Sequence, residues 1–384
     1  MSIKKKLLFF TCILITGYCL AQKDMTQYYI EQSKVCGGID SVLRRTGNWK
    51  KESDDLVFPD KTFPKDQYKL VNTRVDAMSD LFKEALPQLN GFEPRWSRGM
   101  RGSSYMANGA LPYSLRTSYF GYYCNTNYKK ILLGDETGTW AYVFVNHFNW
   151  FCDEVDSWDI HGDGKKITIY QLPPKVGKWK DATIYEPRAH GKVSRAIVIG
   201  HDGKVPWFTL SQKQYLTGLK TLLEAKKKQA LDHHDSYEER TKKGTENILK
   251  NSTPEQAEKI KSQQDQSFKA NQKGRETTEK FFSEKLKPID DYLAANSEEI
   301  LSKPAILDPR AGIEGFKGTF GDEENGGIKL ISLAGKYFNK DLPRYAPQFM
   351  VLYWRWTEHP SSLGFKKQFE ENFPLDKLKA MIDK

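Results

Sequence analysis

The chain has 384 residues, of which 39% are hydrophobic and 13% aromatic, and its formal net charge at pH 7 is +10. This apolar content excludes a wholly disordered chain, and the length is sufficient for about two to three domains. The basic residues are interspersed with acidic ones, and the sequence has neither a basic stripe nor a recognised nucleic-acid-binding module. These features exclude a dedicated nucleic-acid-binding protein.

Residues 1–21 have the features of a secretory signal peptide. Lys4, Lys5 and Lys6 precede an apolar stretch, and Cys19-Leu20-Ala21 provides a small-residue cleavage site. The apolar stretch is too short for a membrane anchor, and no later window is long and apolar enough to span a bilayer. We therefore predict cleavage of this segment and a mature protein, without a transmembrane segment, in the periplasm or outside the cell.

Export places the remaining cysteines in an oxidising compartment. Removal of the signal leaves Cys36, Cys124 and Cys152, which allow at most one intramolecular disulfide. Cys124 and Cys152 end two aromatic, strand-like segments, so we predict a disulfide between them, with Cys36 left outside it.

Residues 22–210 read as a mixed α+β domain. In "DQYKLVNTRVDAMSDLFKEALP" the apolar residues recur at helical spacing and Pro87 ends the pattern. Segments rich in aromatic and β-branched residues follow, among them "RTSYFGYYC" and "TWAYVFVNHFNWF", and these predict strands. Near residue 200, Asp202-Gly203 within "VIGHDGKVPWFTL" predicts the turn of a hairpin.

The stretch "GFEPRWSRGMRGSSYMANGALPYSLR" lies between the predicted helix and the strands. It is rich in Gly, Ser, Asn and Pro, and a loop of this length is often functional. Guanidinium groups beside aromatic rings suit an anionic or carbohydrate ligand, through bidentate hydrogen bonds and stacking. The predicted ligand-binding residues are Arg95, Trp96, Arg98, Arg101 and Tyr105. The alternative is an irregular loop that only packs over the sheet.

The acidic stretch "FCDEVDSWDIHGDGKK" raises the question of a metal site. A calcium loop would place ligands at Asp159, His161 and Asp163, but an imidazole replaces a hard oxygen there and Tyr170 occupies the position of the closing Glu. We predict an ordinary turn and no metal site. An oxygen-ligated cation and a carboxylate pair in acid-base chemistry remain as alternatives.

Residues 211–300 differ in composition and are predicted to form a helical, charged arm. Ser211 with Gln214 makes a capping box, and a second helix start follows at Pro254. Disorder of residues 232–275 is the alternative, because this part is polar and nearly devoid of Val, Trp and Cys.

Residues 301–384 are predicted to complete the first domain with a strand and a helix. Both faces of "FMVLYWRW" are apolar or aromatic, which indicates a strand inside a sheet. The expected fold class is α+β: a mixed, largely antiparallel sheet domain, a long helical arm inserted into it, and a C-terminal strand-helix segment that packs back on the sheet.

No catalytic motif identifies a reaction. The sequence contains no H-E-x-x-H, G-x-S-x-G or C-x-x-C, and the glycines near residues 312–321 match no nucleotide-binding pattern, so no cofactor is predicted. We favour an exported binding or envelope-associated interaction protein, with the helical arm as a surface for a protein partner. The alternative is a secreted hydrolase that acts on glycans or other polymers through a carboxylate pair, and the sequence leaves open whether the protein is an enzyme.

Overall fold

The structure is a computed structural model, and it describes residues 27–52, 65–100, 109–310 and 312–384. The predicted signal peptide and two predicted binding residues, Arg101 and Tyr105, lie outside the described residues. In chain order the helices are 27–33 (α1), Ile39–Leu43 (α2), Lys65–Ala85 (α3), Gln212–Leu249 (α4), Pro254–Ala295 (α5), Glu298–Leu301 (α6), Pro360–Asn372 (α7) and Leu375–Lys379 (α8). The strands are Lys50–Lys51 (β1), Phe92–Met100 (β2), Tyr113–Asn125 (β3), Lys130–Val145 (β4), Asp153–Trp158 (β5), Ile167–Gln171 (β6), Lys175–Trp179 (β7), Ala182–Tyr185 (β8), Ser194–Gly200 (β9), Trp207–Thr209 (β10), Ile306–Leu307 (β11), Ile328–Leu333 (β12) and Phe349–Arg355 (β13).

The chain divides into two compact units. The first unit contains the described residues up to Cys152, together with Lys175–Pro206 and Ala334–Lys384, and the second contains Asp153–Pro174 and Trp207–Leu333. The second unit thus takes the helical arm together with strands from both flanking segments. The predicted domains 22–210, 211–300 and 301–384 stay a prediction.

The first unit is built on an eight-stranded sheet in the order β1-β2-β3-β4-β13-β9-β8-β7. β1 and β2 run parallel, and the other neighbours run antiparallel. β13 lies between β4 and β9, so the prediction that "FMVLYWRW" is an interior strand is confirmed. The mixed, largely antiparallel sheet and the long helical arm confirm the predicted α+β class.

One face of this sheet carries the main core. α3, which confirms the predicted amphipathic helix, buries Val71, Val75, Met78 and Phe82 against it. α7 adds a row of phenylalanines, and the Phe82 and Phe369 rings stack with their centroids 5.7 Å apart. Side chains alternate between the two faces of a strand. The strand residues that alternate with those of the core therefore point to the opposite face of the sheet.

Two local predictions in this unit are wrong. The segment Phe92–Met100, expected to begin a loop, is strand β2 and pairs with β3 at nine consecutive positions. The expected hairpin at Asp202-Gly203 does not form, since β9 belongs to the eight-stranded sheet and β10 pairs with β12 of another sheet. Pro206, just after that turn, has no N–H to donate to a ladder with β9.

The second unit combines a smaller sheet with the helical arm. Its strands follow the order β10-β12-β6-β5, and β11 also pairs with β12. α4 and α5 are antiparallel, because Lys220 forms an ion pair with Asp290 near the start of α4, while His234 hydrogen-bonds Asn271 further along. Their apolar stripes are buried in one cluster with Trp158 of β5.

Both long helices begin with a capping box. Ser211 accepts a hydrogen bond from the Gln214 N–H, as predicted, and the Gln214 side chain accepts one from the Ser211 N–H. Thr253 and Gln256 repeat this arrangement at α5, with Pro254 in the first turn. Residues 232–275 are therefore helical apart from the short connection at 250–253. The structure contradicts the alternative that this part is disordered.

The predicted disulfide is wrong. Cys124, near the end of β3, is bonded to Cys36, with the two Cα atoms 5.9 Å apart, and Cys152 is a buried thiol outside this bond. Cys152 directly precedes β5, which belongs to the second sheet, so it is not aligned with Cys124 on a neighbouring strand. The residues around Cys36 contact β3 instead.

The acidic stretch is part strand and part turn. Asp153, Glu154 and Asp156 lie on β5, and Asp159 opens the turn that leads towards β6. Asp159 Oδ1 accepts hydrogen bonds from the N–H groups of residues 161, 162 and 163, and Oδ2 accepts one from residue 164. These backbone hydrogen bonds, that of Gly164 first, lower the pKa of Asp159 below its usual value.

The described residues include neither a membrane-spanning helix nor a metal-binding cluster. No helix there combines the length and the apolar character that a bilayer crossing requires. No group of three or more His, Cys, Asp or Glu side chains in that part of the chain is arranged to hold a metal ion.

Candidate ligand-binding site

The predicted binding residues on β2 lie on opposite faces of the sheet. Trp96 and Arg98 point to the core face, and Arg95 points to the other face, as strand alternation requires. The structure therefore separates Arg95 from the two residues with which the sequence grouped it.

Trp96 and Arg98 are held against α3. Arg98 is 8% exposed and donates to both carboxylate oxygens of Asp76, with Nη2 2.5 Å from Oδ1 and 2.7 Å from Oδ2. Trp96 is 7% exposed, and the Lys83 ammonium lies 5.2 Å from the centroid of its ring. Both side chains are thus engaged by the helix that covers the core.

Arg95 lies on the opposite face among acidic partners. Its guanidinium is 2.9 Å from a carboxylate oxygen of Glu93 and 3.5 Å from one of Glu52. The same group lies over the Phe120 ring, 3.8 Å from its centroid. Its charge is therefore compensated within the protein.

The same face of β3, β4 and β13 carries a group of aromatic and basic side chains, which we call the aromatic–arginine face. Cross-strand pairing places Arg116 opposite Tyr142, Tyr142 opposite Tyr353, and Trp140 opposite Arg355. Trp150, which follows β4, packs over these strands with its ring 5.4 Å from that of Trp140 and 5.0 Å from that of Tyr142. The face consists of Arg116, Trp140, Tyr142, Trp150, Tyr353 and Arg355.

The two arginines of this face have no ion-pair partner among the residues that the structure describes. The Arg355 guanidinium lies over the Trp140 ring, 4.5 Å from its centroid, and a cation in this position is attracted by the ring. Arg355 Nε and Trp140 Nε1 are both buried, and neither has an acceptor in the described part of the chain. Such donors cost free energy unless an acceptor is supplied.

The pKa of Tyr142, at the centre of this face, is influenced by the guanidiniums of both Arg116 and Arg355. Burial raises the pKa of the Tyr142 hydroxyl, and the charge of Glu136 adds to the increase. The positive charges of Arg116 and Arg355 act in the opposite direction. Each arginine is therefore within electrostatic range of this hydroxyl.

His190 adds a neutral imidazole at the edge of the face. Its Nδ1 lies 2.7 Å from the Tyr353 hydroxyl, and its ring is 5.5 Å from the Trp140 ring. Burial lowers the pKa of His190, and the charge of Arg355 lowers it further. In the tautomer in which Nδ1 accepts from Tyr353, Nε2 carries a proton that can be donated to a ligand.

Arg355 also lines a cavity of about 1160 Å³ in the same unit. Its walls come from α1, from the far end of the β3–β4 hairpin, and from the residues after β13, with Tyr28, Tyr29 and Trp356 among the aromatic side chains. Cys124 lies in the wall, so the disulfide to Cys36 fixes the N-terminal wall to β3. This volume lies slightly above the roughly 300–1,000 Å³ of typical small-molecule sites.

Carboxylates line this cavity beside Arg355, and the pKa of one of them is shifted. Although Glu136 as a whole residue is exposed, partial burial of its carboxyl raises its pKa, and the negative charge of Glu52 raises it further. Arg355 opposes both effects. Glu136 is therefore the carboxyl of this cavity that holds a proton to higher pH than usual.

The sequence contained a partial signal for this site. Trp140, Tyr142 and Phe144 alternate with Ala141 and Val143 in "TWAYVF", which is the pattern of a strand with one aromatic face. The pattern could not show that the aromatic face of β4 would neighbour Arg355, because the partner strand lies about two hundred residues later in the chain.

Comparisons with families of known proteins, with curated proteins and with solved structures found no match for this chain.

Proposed function

We propose that the protein is an exported binding protein whose anionic or carbohydrate ligand occupies the cavity beside Arg355 and extends onto the aromatic–arginine face. The observation that carries this proposal is Arg355 itself, a half-buried guanidinium that lines the cavity, stacks on Trp140 and lacks a carboxylate partner among the described residues. A concave site with aromatic walls and a few polar groups that point into it is the usual form of a ligand pocket.

The disulfide supports the exported part of the proposal. Structural disulfides form and persist in oxidising compartments, and Cys36 and Cys124 are bonded in this unit. A signal peptide at residues 1–21 accounts for such a location, so we infer a periplasmic or extracellular protein.

Binding would combine stacking with charge-assisted hydrogen bonds. The rings of Trp140 and Trp150 are half-buried, and exposed parts of such rings offer apolar area to the face of a sugar. Arg355 can donate two parallel hydrogen bonds to a carboxylate or a similar group, which fixes the orientation of the ligand.

A hydrolase is the second function that a specific observation favours. Glu136 has a raised pKa, lies near Glu52, and faces the cavity, which is the setting of a general acid paired with a second carboxylate. In this alternative Glu136 would donate the proton and Glu52 would act as base or nucleophile on a glycan.

The helical arm is proposed as a surface for a protein partner. α4 and α5 expose Tyr237, Ile248 and Phe281, while their buried stripes are used within the second unit. Exposed apolar side chains on a long helix pair are compatible with such a contact.

Thermal melting in the presence of ligands tests the proposed function. Saccharides and organic anions are screened, and a ligand at about a hundred times its Kd adds roughly 2.7 kcal/mol to the free energy of unfolding. Trp140→Ala should abolish this stabilisation. The matched variant Phe281→Ala, which removes an exposed ring from the second unit, should retain it. A ligand that stabilises both variants equally would show that the site lies elsewhere.

Product analysis separates binding from hydrolysis. If the protein is a hydrolase, it releases reducing ends from a polysaccharide, and Glu136→Gln removes that activity while the ligand still binds. Binding without product in the wild type supports the binding protein.

A further inference from the structure

The two arginines of the aromatic–arginine face flank its aromatic rings from two sides. Arg116 on β3 and Arg355 on β13 lie on strands separated by β4, whose Tyr142 and Trp140 are their cross-strand neighbours. Strands two apart in a sheet are separated by roughly 9.5 Å. The guanidiniums therefore offer two separate positions for negative charge, with the rings between them.

The lack of an acidic partner sets these two arginines apart from others in the same sheet. Arg95 is paired with Glu93, Arg98 with Asp76, and Arg195 with Glu186. Arg116 and Arg355 are half-buried, and neither forms an ion pair with any residue that the structure describes. Partly desolvated charges cost free energy unless they are paired, so these two are available to a ligand.

The position of Arg116 depends on a glycine in the adjacent strand. A Cβ atom added to Gly99 of β2 would lie 2.9 Å from Arg116 Nε and 3.2 Å from Nη2. The same Cβ atom would lie 2.5 Å from Ser114 Oγ, so a larger residue at position 99 would force the Ser114 and Arg116 side chains to shift. Gly99 thereby leaves room for the Arg116 guanidinium in its present position.

Acidic residues near Arg355 limit the kind of anion that fits. Asp135, Glu136 and Glu358 line the cavity beside it, and they would repel a ligand with charge on every unit, such as a nucleic acid. The same carboxylates can accept hydrogen bonds from hydroxyl groups. A chain with many hydroxyls and a few well-separated negative charges satisfies both groups.

We propose that the aromatic–arginine face binds an acidic glycan, with anionic groups of the glycan on Arg116 and Arg355 and a sugar ring against Trp140 and Trp150. This inference rests on the proposed function and specifies its ligand class.

Calorimetry with charge-matched saccharides tests the proposal. The probes are oligogalacturonate and its neutral methyl ester, a sulfated galactan fragment and its desulfated form, and a single-stranded oligonucleotide. The full mature chain should bind at least one acidic saccharide, and its neutral counterpart should bind at least about tenfold more weakly. The oligonucleotide should not compete.

Arginine variants locate the charges. Arg116→Gln and Arg355→Gln should each raise Kd for the acidic saccharide about tenfold, while Arg240→Gln, an exposed position on α4, should leave it unchanged. Gly99→Ala keeps every charge but displaces Arg116, and it should also weaken binding. Melting curves confirm that each variant is folded. Arg355→Lys retains the charge without the bidentate geometry, so its Kd should lie between those of the wild type and Arg355→Gln.

The outcomes separate this inference from the proposed function. Equal binding of acidic and neutral saccharides would overturn the acidic-glycan inference and leave the binding function standing. Preference for the oligonucleotide, or binding that is insensitive to Arg116 and Arg355, would also overturn it. No binding of any saccharide or organic anion would overturn both.

Discussion

At the scale of single residues, Trp96 and Arg98 are in positions where they stabilise the fold. Both are more than nine-tenths buried and contact α3 or its side chains. Trp96→Ala should therefore lower the free energy of unfolding by about 3 to 5 kcal/mol, as truncation of a buried aromatic ring does. Denaturant unfolding measures this. A folded variant of unchanged stability that has lost ligand binding would instead assign Trp96 to a binding site.

Asp159 is predicted to stabilise its turn rather than to hold a cation. Because its two carboxylate oxygens accept four backbone hydrogen bonds, Asp159→Ala should lower the melting temperature, and Asp159→Asn, which keeps one acceptor oxygen, should lower it less. Calcium and zinc should leave the melting temperature of the wild type unchanged. A shift of several degrees with either ion would contradict this assignment.

The lowered pKa of Asp159 fixes the direction of its pH effect. A carboxyl whose pKa is lower in the folded state contributes stability above its unfolded pKa, near 3.8. This contribution is lost as the pH falls through the lower folded pKa. The Asp159→Asn variant should lack that part of the acid denaturation profile.

His359 gives a pH dependence in a milder range. It caps α7, its Nδ1 accepts a hydrogen bond from the Ser361 N–H, and burial lowers its pKa from 6.5. The unfolded chain therefore binds the proton at higher pH than the folded chain does. Stability is unaffected well above pH 6.5 and falls as the pH decreases below it, towards the folded pKa.

A conservative variant isolates this effect. His359→Asn retains a capping acceptor without titrating, so the difference in melting temperature between pH 7.5 and pH 5.5 should shrink. His233→Asn, at an exposed position of α4, serves as the control. An unchanged pH dependence in His359→Asn would show that this imidazole does not limit stability.

At the scale of elements, the disulfide joins the N-terminal wall of the cavity to β3. Its sequence separation of 88 residues corresponds to a stabilisation of about 4.6 kcal/mol in the chain-entropy estimate. The double variant Cys36→Ser, Cys124→Ser should lose about this much stability and bind ligand more weakly. Peptide mapping without reduction should recover the Cys36–Cys124 link, and a link through Cys152 would contradict the structure.

The helical arm should be cut by proteases at its connection. α4 ends at Leu249 and α5 begins at Pro254, so residues 250–253 form a largely exposed connection between the two helices. Limited proteolysis should cleave there before any site within 118–210. Earlier cleavage within 118–210, with the helix pair intact, would contradict this order of local stability.

Periodicity predicted the elements, but it did not determine how they pair. The amphipathic pattern of α3, the capping box at Ser211 and the apolar run of β13 are local, and each was confirmed. Strand β2 was mistaken for a loop because its Gly, Ser and Pro content favours turns, whereas pairing with β3 along its whole length outweighs that preference. The disulfide prediction was wrong because the proximity of Cys36 to Cys124 arises from the tertiary structure, which no local pattern contains.

At the scale of the whole molecule, the binding proposal depends on residues from distant parts of the chain. Arg116, Trp140 and Arg355 come from three strands, and only the order β3-β4-β13 brings them onto one face. The sequence prediction of guanidiniums beside aromatic rings near Trp96 stays a prediction, and the proposed site has the same combination of side chains on other strands. Without knowledge of strand order, no local pattern could group Arg116 with Arg355.

The most direct measurement of the central claim is the NMR signal of the indole N–H groups during titration with an acidic oligosaccharide. Among the nine tryptophans of the chain, Trp140 and Trp150 should show the largest shifts, assigned through Trp→Phe variants. The indole of Trp158, which is 2% exposed in the second unit, should not move. Saturable binding that leaves the Trp140 and Trp150 signals unchanged would contradict the proposed site.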